Sequence, residues 1–470
     1  MPDTHKLTSE SFSNPVIERN GEMGRAACDM MAAAIEAVDP YKCVLENVQL
    51  TKTEIVIAGQ TIKRAKIDRL SLIGFGKAAV PMAKAVVDSL GDLLSLAIVV
   101  TKDAKFKAAQ GYGDMLEVLL AGHPVPTKDS VDSTQAILDQ LPAFTERDLV
   151  LVVISGGGSA LFTSPMAGIS LGDMQQLTES LLRSGADIQE INTLRKHLDQ
   201  VKGGRLAAWL SPAKVHTMIL SDVIGDRLDM IASGPTVPDP TTFEDAWKVI
   251  TKYNLVDNLP STIQDFLLAG KAGEQAETLK QPQFEEMQVE NNLIATNLKA
   301  ALAARKKADE WGYNSLVLSN HLTGLTPSVT TFISGIIQTE IEADLPAKKP
   351  ACLIFGGETT VKVVGDGKGG RNQDLALQMV RKLAVYQEKV LFISLATDGE
   401  DGPTDAAGAA SDALVLRYGT SEMGMEIDTY ISTNNSYQYF DRVGGLIRIG
   451  ATGTNVNDLM FVLIGSPDIS

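Results

Sequence analysis

The sequence is poor in cysteine. Its 470 residues include only Cys28, Cys43 and Cys352, an odd number without the paired spacing of disulfide-forming or metal-binding cysteines. A disulfide framework and a zinc cluster are therefore both unsupported. Sparse, unpaired thiols are typical of proteins in a reducing compartment, so we expect a cytoplasmic protein.

Histidine is also scarce. Of the five histidines, His216 begins an apolar run, and His123 precedes a proline in the segment AGHPVP. No His-Asp-Ser arrangement and no metal-spaced histidine pair is visible, which disfavours nucleophilic hydrolysis and zinc chemistry. His123 is either an active-site residue or a turn residue.

Long apolar runs and excess positive charge are missing as well. No run approaches the roughly 18 apolar residues of a membrane span, and MPDTHKLTSESF lacks the layout of a signal peptide. The 58 acidic residues outnumber the 42 basic ones, and the net charge of -16 opposes binding to nucleic acid or anionic membranes. We expect a soluble protein that needs a local basic pocket to bind an anionic substrate.

The sequence does contain an alternation of short apolar runs with longer helical stretches. Five runs are apolar on both faces, as in a buried parallel sheet; they are 70–73, 96–100, 118–120, 149–154 and 216–220. A second series predicts strands at 292–296, 315–319, 351–355, 390–396 and 458–464. The βαβα rhythm is typical of a doubly wound sheet, and we predict an α/β protein with two domains.

The predicted domain boundary lies in a polar stretch. Residues 251–290 carry several charges together with Pro260 and Pro282, which is typical of a solvated connection. The predicted domains are residues 1–250 and residues 291–470. Because the chain is too long for one ordinary core, we expect the active site in a cleft between two domains.

Glycine-rich turns follow four predicted strands, at the ends where open α/β sheets bind ligands. In SLIGFGKAA, Gly74 and Gly76 precede Lys77 at a helix start, where free N–H groups favour an anion. The spacing does not match a Walker A loop, but it matches the dinucleotide fingerprint G-x-G-x-x-A at Gly74, Gly76 and Ala79. A tight turn with a solvated lysine would give the same pattern.

The second turn, in LVLVVISGGGSALF, has three successive glycines. It consists of Ser155, Gly156, Gly157, Gly158 and Ser159. The bare backbone lets N–H groups approach a phosphate closely, so we predict phosphate or carboxylate binding here. The G-x-S-x-G elbow of a serine hydrolase is absent because its final glycine is missing.

The third turn, in LIFGGETTVKVVGDGKGGRNQDLALQ, combines glycines with an arginine. Glu358 follows one glycine pair, and Arg371 and Asn372 follow a second glycine cluster at a helix start. An arginine there can bind a carboxylate or phosphate with two parallel hydrogen bonds. A surface loop with one arginine is the alternative interpretation.

The fourth turn, in LATDGEDGPTDAAGA, is acidic. Asp398, Glu400, Asp401 and Asp405 follow a predicted strand. Carboxylates at a strand end suit Mg²⁺, which takes one or two protein oxygens together with waters and substrate phosphates. An exposed acidic turn is the competing interpretation.

Two other charged segments are candidates for anion or metal binding. INTLRKHLDQVKGGRLA places Arg195, Lys196, Lys202 and Arg205 near one another and could clamp anions. LSDVIGDRLD follows a strand and contains Asp222, which could hold metal-bound phosphate. Each segment is as often a solvated face or loop.

Taken together, eight motifs resemble the glycerate 2-kinase family that carries a C-terminal MOFRL domain. In order, they are GFGKAA, AGHPVP, VISGGGSALF, NTLRKHLDQVKGGRLA, LSDVIGDRLDMIASGPTVPDPTTF, FGGETTVKVVGDGKGGRNQDLAL, ATDGEDGPTDAAGA and TGTNVNDL. The resemblance implies an N-terminal Rossmann-like domain that faces a second α/β domain, with the MOFRL region at residues 350–465, across the active-site cleft. It also implies that ATP with Mg²⁺ phosphorylates the 2-hydroxyl group of D-glycerate to give 2-phosphoglycerate.

The resemblance also implies roles for residues. Lys77 and Arg371 match the positions considered most important for catalysis, and the SGGGS loop matches a phosphate-binding region. We expect Asp222 and Asp398 either to bind Mg²⁺ or to accept the proton of the attacking hydroxyl group. The predicted nucleotide-binding residues are Gly74, Gly76, Ser155, Gly156, Gly157, Gly158 and Ser159. The predicted substrate-binding residues are Arg195, Lys196, Glu358 and Asn372.

Two other functions stay open at this point. An NAD(P)H-dependent hydroxypyruvate reductase, a label that this family has carried, would use the match at Gly74, Gly76 and Ala79 for its dinucleotide. A non-enzymatic scaffold or ligand-sensing protein would not need so many turns suited to anions. The sequence leaves a homodimer open.

Overall fold

The computed structural model describes residues 7–104, 115–386 and 389–467. The chain forms two compact units. The first unit comprises Pro40–Ile294, and the second comprises the described residues of Ala295–Ser470 and of Pro2–Asp39. The N-terminal segment is thus part of the second unit, whereas the predicted boundaries placed it in the first domain.

Strands and helices are numbered along the chain. The strands are β1 Val48–Leu50, β2 Glu54–Ile57, β3 Gln60–Lys63, β4 Arg69–Phe75, β5 Leu94–Thr101, β6 Glu117–Leu120, β7 Asp148–Ile154, β8 Lys214–Leu220, β9 Val289–Ala295, β10 Asn314–Leu325, β11 Ala351–Thr360, β12 Val390–Ala396, β13 Gly408–Asp412, β14 Leu446–Ile447 and β15 Asp458–Ile464. The helices are α1 Pro15–Glu18, α2 Glu22–Ala37, α3 Pro40–Asn47, α4 Ala79–Leu90, α5 Lys128–Gln140, α6 Gly158–Leu161, α7 Leu171–Arg183, α8 Ile188–His197, α9 Arg205–Leu210, α10 Phe243–Lys252, α11 Ser261–Lys271, α12 Gln281–Glu285, α13 Asn297–Glu310, α14 Thr326–Ala343, α15 Arg371–Leu383, α16 Val415–Arg417, α17 Ile427–Ser432 and α18 Ser436–Val443. Within the described ranges, no helix is both long and apolar enough to cross a membrane.

The main sheet of the first unit has six strands in the order β6-β5-β4-β7-β8-β9. The pairs β4–β5, β5–β6, β4–β7 and β7–β8 are parallel. The chain begins in the middle at β4, continues outward to β6, and returns to β7 on the other side of β4. This is the strand order of a Rossmann-like doubly wound sheet, in which ligands bind where the order reverses, here between β4 and β7. Strands β1, β2 and β3 form a separate antiparallel sheet.

Burial on both faces explains why the strands of the main sheet have continuous apolar sequences. Ile73 on β4, Val152 on β7 and Val215 on β8 are fully buried in one core. The rings of Phe75, at the end of β4, and Phe162, after α6, stack with their centroids 4.2 Å apart. Each of the five predicted strands of this sheet is present, with its ends extended by one to three residues.

A helical layer accounts for the segment that the sequence predicted to be a solvated connection. Helices α7, α8, α10 and α11 share a core that includes Leu194, Phe243, Ile263 and Leu267. Residues 251–290 therefore fold as part of the first unit rather than as a connection. The apolar residues Ile263 and Leu267 lie one helical turn apart, but charged neighbours obscure that spacing in the sequence.

The second unit has a six-stranded mixed sheet in the order β10-β11-β15-β12-β13-β14. Strands β10 and β11 are parallel, and the other neighbours are antiparallel. Strands β12, β13 and β15 are buried along their full length. Two units, each with an α/β arrangement around its own sheet, confirm the predicted fold class.

Strand β11 extends farther than the sequence predicted. Gly356, Gly357 and Glu358 lie inside this strand and not in a turn after it. A Cβ atom on Gly357 would lie 2.1 Å from the backbone oxygen of Leu322 on β10. The second glycine of the pair therefore allows close pairing of β10 with β11 at a point where their register shifts.

Hydrogen bonds and packing tie the N-terminal segment to the second unit. Helix α2 packs along α13. Nε and Nη2 of Arg19 donate to the carboxylate of Asp412, at 2.7 and 2.5 Å. The hydroxyl of Thr454 donates to the backbone oxygen of Val38 at 2.7 Å. The second unit is therefore assembled from both ends of the chain.

Candidate active site

Two neighbouring turns of the first unit are hydrogen-bonded to each other where the strand order reverses. One follows β4 and contains Gly76 and Lys77, and the other follows β7. The backbone N–H of Lys77 donates to the carbonyl oxygen of Gly156 at 2.9 Å. The hydroxyl of Ser155, which is buried, accepts from the backbone N–H of Ala78 at 2.9 Å. The side chain of Ser155 therefore holds the two turns together, which is a structural role and not the predicted contact with a nucleotide.

The turn after β7 presents four consecutive backbone N–H groups. Those of Gly156, Gly157, Gly158 and Ser159, hereafter the glycine turn, donate to no acceptor in the described part of the chain. Gly157 has a φ of 81°, in the left-handed region that favours glycine. Consecutive N–H groups that point into a concavity bind phosphate or carboxylate. The availability of these N–H groups supports the predicted anion site, which stays a prediction.

Three side chains lie against the glycine turn. A Cβ atom on Gly157 would lie 2.8 Å from Cδ2 of His123 and 3.4 Å from Cγ of Lys77. A Cβ atom on Gly156 would lie 2.2 Å from Oδ2 of Asp222. Glycine is thus required for the close approach of His123 and Asp222, whereas Lys77 lies at an ordinary contact distance. The ammonium of Lys77 makes no ion pair or hydrogen bond with any described residue, so its charge is available to a ligand.

A strained loop lies on another side of the glycine turn, where a Cβ atom on Gly158 would be 2.8 Å from that of Ala232. Ala232, Ser233 and Gly234 have φ angles of 50°, 62° and 61°. For the alanine and the serine this costs about 1–3 kcal/mol each, and such strain is concentrated at functional sites. The Ser233 hydroxyl lies 2.9 Å from that of Ser159 and donates to Asn192 at 3.1 Å. Ser233 and Asn192 are not among the predicted site residues, and the Gly-Pro pair in IASGP is the main sequence signal for this loop.

Gly74 lies inside β4 and not in the turn that follows it. A Cβ atom on Gly74 would lie 2.5 Å from Cγ2 of Val153 and 2.7 Å from Cγ1 of Val99. Packing between β4 and its two neighbours therefore explains this glycine without a nucleotide, and its predicted role in nucleotide binding stays a prediction. Gly76, with a φ of 126°, does lie in the turn. The apparent dinucleotide fingerprint thus loses its first residue.

Three of the four cations in the basic stretch have structural roles. Lys196 is 2% exposed, and its ammonium donates to Asp239 at 2.9 Å, which corrects its predicted role in substrate binding. Lys202 is equally buried and donates to Asp199 at 2.8 Å. Arg205 donates to the backbone oxygen of Lys196 at 2.5 Å. These side chains hold the end of α8 to neighbouring segments.

Arg195 differs from the other three cations. It is half-buried, and its guanidinium makes no hydrogen bond or ion pair with any described residue. Burial lowers the pKa of Arg195, and the nearby charge of Asp199 offsets part of that effect. Arg195 follows Asn192 by three residues, so the two share one side of α8. A half-buried cation that forms no ion pair or hydrogen bond with a described residue favours the predicted binding of an anionic substrate.

In the second unit, two carboxylates hold Arg371 at the start of α15. Nε and Nη2 donate to the two oxygens of Asp458 at 2.6 and 2.9 Å, and Nη1 lies 3.0 Å from Oε1 of Glu358. The Asp458 side chain is fully buried, whereas that of Arg371 is 31% exposed. Glu358 also accepts from Nδ2 of Asn457 at 3.2 Å. Glu358 therefore orients Arg371, and its predicted direct contact with substrate stays a prediction.

Asn372, the residue after Arg371, is fully buried. It accepts from the hydroxyl of Ser394 at 2.6 Å and donates to Asp401 at 3.3 Å. Asp401 also accepts from the backbone N–H groups of Asn372 and Gln373, at 3.1 and 2.9 Å, and thereby caps the first turn of α15. The predicted contact of Asn372 with substrate is corrected, because Asn372 instead positions the helix that carries Arg371.

The two predicted metal ligands lie in different units. Asp222 lies beside the glycine turn, and Asp398 lies at the end of β12, where it accepts from the backbone N–H of Glu400 at 3.1 Å. No group of three or more His, Cys, Asp or Glu side chains that could hold a metal ion occurs among residues 7–104, 115–386 and 389–467. Because Mg²⁺ needs only one or two protein ligands when phosphates supply others, metal binding by Asp222 or Asp398 stays a prediction.

Comparisons with known proteins identify the relatives of the chain. Residues 26–268 match a family model described as a domain of unknown function, DUF4147, and residues 351–458 match the MOFRL family. A D-glycerate 2-kinase from Thermotoga maritima is 41% identical over 94% of this chain and 98% of its own. A glycerate 2-kinase from Pyrococcus horikoshii is 39% identical over 93% of this chain and 96% of its own. The chain belongs to the glycerate kinase family.

A solved structure from the glycerate kinase family has the same fold. The crystal structure of glycerate kinase from Thermotoga maritima superposes with a TM-score of 0.82 at 40% identity, covering 94% of this chain and 99% of that one. Family membership confirms the resemblance that the eight motifs predicted. The DUF4147 match contains the glycine turn, and the MOFRL match contains Arg371 and ends at Asp458.

In this glycerate kinase family member, ionisation of Asp401 should destabilise the second unit. Burial raises the pKa of the Asp401 carboxyl group to about 6, although hydrogen bonds from the backbone of Gln373 lower it. Since an unfolded aspartate has a pKa of about 3.9, the folded state binds this proton more tightly, and the free energy of unfolding falls as the pH rises from about 4 to about 6. Asp401→Asn should remove about 1–3 kcal/mol of that decrease, as measured by urea denaturation at pH 4.5 and pH 7.

Asp405→Asn is the control for that experiment. Its hydrogen bond from Tyr437 lowers the pKa of Asp405, so ionisation of Asp405 has the opposite effect on stability. If Asp401→Asn showed the same pH dependence as the unmodified protein, the raised pKa of Asp401 would be ruled out.

Proposed function

We propose that this protein transfers the terminal phosphoryl group of ATP to the 2-hydroxyl group of D-glycerate, giving 2-phosphoglycerate. The observation that carries the proposal is the glycine turn, whose four N–H groups, like the nearby ammonium of Lys77, have no partner among residues 7–104, 115–386 and 389–467. Phosphoryl transfer requires positioning and charge neutralisation more than covalent catalysis. The names of the relatives, glycerate 2-kinase and D-glycerate 2-kinase, support the choice of substrate.

The first unit would bind both substrates through separate groups. The N–H groups of the glycine turn would bind nucleotide phosphate oxygens, and Lys77 would stabilise negative charge on the transferred phosphoryl group. Arg195 would bind the carboxylate of glycerate, because its guanidinium donates to no described residue and can donate two parallel hydrogen bonds to a ligand. Arg371 and Asp398 of the second unit are the proposed further catalytic residues.

Asp222 is the residue of the first unit that fits Mg²⁺. Its carboxylate lies against Gly156, next to the N–H groups that would bind phosphate. One carboxylate with phosphate oxygens and water is a usual ligand set for Mg²⁺, which when bound neutralises phosphate charge. If Asp222 does not bind the metal ion, it would instead accept the proton of the glycerate hydroxyl group.

We also propose a reducing compartment, the cytoplasm, as the location. All three cysteines are buried, and no disulfide joins any two of them. Proteins with such thiols are typical of compartments that keep cysteine reduced.

A direct assay separates the kinase from the reductase alternative. The protein is incubated with D-glycerate, ATP and Mg²⁺ while ADP is measured, and separately with hydroxypyruvate and NADH while absorbance at the NADH band is followed. We expect ADP formation that depends on glycerate, and no oxidation of NADH. Oxidation of NADH without ADP formation would reject the kinase.

Gly157→Ala should abolish most of this activity. The added methyl group would lie 2.8 Å from His123 and 3.4 Å from Lys77, on a backbone with a φ of 81°. Displacing these groups should lower kcat/KM by about 100-fold, the order found for misplaced positioning groups. Gly168→Ala is the matched control, since Gly168 has a φ of 86° and no atom within 4 Å of the added methyl group.

The two alanine variants separate strain from contact. In both variants, alanine in the left-handed region destabilises the folded state by about 1–2 kcal/mol. Their melting temperatures should therefore fall by similar amounts. If Gly157→Ala retained the activity of Gly168→Ala, the glycine turn would not be part of the active site.

A further inference from the structure

The loop after β6 holds His123 firmly in place. The backbone N–H groups of Gly122 and Thr127 donate to the hydroxyl of Ser130, at 3.1 and 3.0 Å, and Ser130 is fully buried in α5. A Cβ atom on Gly122 would lie 2.3 Å from Cγ2 of Thr127, so the loop is tightly closed. His123 therefore lies on a short loop whose backbone is anchored on both sides of it.

One edge of the His123 ring faces the glycine turn. Cδ2 and Nε2 would lie 2.8 and 3.0 Å from a Cβ atom on Gly157, on the side where Lys77 also approaches. Neither ring nitrogen has a hydrogen-bond partner among the described residues. The imidazole and the N–H groups of the glycine turn, which have no hydrogen-bond partner in the described part of the chain, lie close enough to contact one ligand.

Burial and two nearby positive charges keep the His123 ring neutral. Burial has the largest effect, and together with the ammonium groups of Lys77 and Lys102 it lowers the pKa of His123 to about 4. At pH 7 the ring therefore has one N–H donor and one acceptor nitrogen. So weak a base would accept a proton poorly near neutral pH, but its N–H group still donates.

We propose that His123 is a further catalytic residue, which donates a hydrogen bond from its neutral ring to an oxygen of the phosphate bound at the glycine turn. This inference rests on the proposed function. Lys77 would supply positive charge. His123 would orient the phosphate oxygen through a directional hydrogen bond, because the loop that carries the ring is anchored. A neutral donor would also orient the transferred phosphoryl group. It would bind the product phosphate less strongly than a second cation would.

Four variants test the proposal in the full-length protein. His123→Phe fills the same space without a donor and should lower kcat/KM for ATP by about 10- to 100-fold. His123→Gln and His123→Asn place an amide donor nearby, and at least one should recover activity to within about fivefold of the unmodified protein. His321→Phe, at an exposed histidine of the second unit, is the control and should leave activity unchanged.

The separate constants distinguish a bond to phosphate from a structural role. We expect the loss in His123→Phe to appear in kcat and in KM for ATP, with KM for glycerate nearly unchanged. Equal losses for both substrates and no recovery by either amide would overturn the proposal. If the unmodified protein phosphorylates glycerate and His123→Phe is within twofold of it, the proposal also fails; if the unmodified protein makes no ADP, it is the proposed function that fails.

A spectroscopic measurement covers the case in which His123→Phe does not fold. The ring nitrogens of the unmodified protein are followed by ¹⁵N NMR, with His123→Gln used to assign the signal. Addition of Mg²⁺ and a non-hydrolysable ATP analogue should shift one ring nitrogen of His123 while the other keeps the chemical shift of a neutral ring. An unchanged signal under saturation would overturn the proposal.

Discussion

Lys77→Met is expected to lower kcat for glycerate phosphorylation by about 10³-fold, the order seen when a cation that stabilises a transferring phosphoryl group is removed. The ammonium of Lys77 has no ion pair in the described part of the chain, so its removal leaves no unpaired partner among those residues. Methionine keeps most of the side-chain length, and the turn is held by the backbone bond from residue 77 to Gly156. Lys77→Met should therefore fold normally but lose most of its phosphorylation activity.

The measurement is steady-state kinetics together with thermal unfolding. Lys128→Met is the matched control, because Lys128 is an exposed lysine whose partner Asp132 lies on the same helix. We expect Lys128→Met to match the unmodified protein, and Lys77→Met to match it in melting temperature alone. A folded Lys77→Met variant with kcat within tenfold of normal would remove Lys77 from the mechanism.

Arg371→Ala is expected to lower the free energy of unfolding of the second unit by about 3 kcal/mol. The carboxylate of Asp458 is fully buried, and two hydrogen bonds from Arg371 are its main compensation. Removing the cation leaves a buried charge, which costs far more than an exposed ion pair contributes. Arg448→Ala, at a partly exposed arginine with acidic partners Asp405 and Asp441, should cost less than about 1 kcal/mol.

Tryptophan fluorescence can report on the second unit alone. Trp311 lies in that unit and donates to Asp29 at 2.9 Å, whereas Trp209 and Trp247 lie in the first. With Trp209→Phe and Trp247→Phe as the background, urea denaturation followed through Trp311 measures the effect of Arg371→Ala. Adding Asp458→Asn should restore part of the loss, because the uncompensated charge is gone. Equal stability of the single and double variants would show that Asp458 is not the source of the effect.

The sequence predicted the parts of the site that depend on local rules. Strand β4 is an uninterrupted apolar run, and parallel strands end at the same edge of a sheet, so Gly76 and Lys77 could be expected beside the glycine turn. Those expectations needed only the order of residues within one βα unit. The residues alone did not separate nucleotide phosphate from dinucleotide phosphate, and the family resemblance made that choice.

Predictions failed where a side chain's partner is distant in the sequence. Arg195 and Lys196 are adjacent, yet only Lys196 meets a buried carboxylate, 43 residues farther on at Asp239. Asn372 follows Arg371 directly, but the capping carboxylate of Asp401 and the hydroxyl of Ser394 turn it into the core. Which face of a helix is buried depends on what packs against it, and periodicity within one segment does not contain that information.

For His123, the sequence left two interpretations open. Its sequence context, a histidine before proline, fits a turn as well as an active site, and five scattered histidines give no spacing pattern. The deciding facts are the approach of its ring to Gly157 and the proximity of Lys77. Both are tertiary contacts between three different βα units.

The division of the second unit between the two ends of the chain has a consequence for synthesis. Helix α2 leaves the ribosome early, but its partner α13 follows only after the whole first unit, roughly 250 residues later, a delay of about 12–50 s at 5–20 residues per second. During that time the apolar face of α2, which includes Met23, Met30 and Ile35, has no native surface to cover it. The first unit can complete its sheet in the interval. Newly made chains should therefore pass through a long-lived state with one finished unit and one exposed helix, and that helix is where a chaperone would be expected to bind.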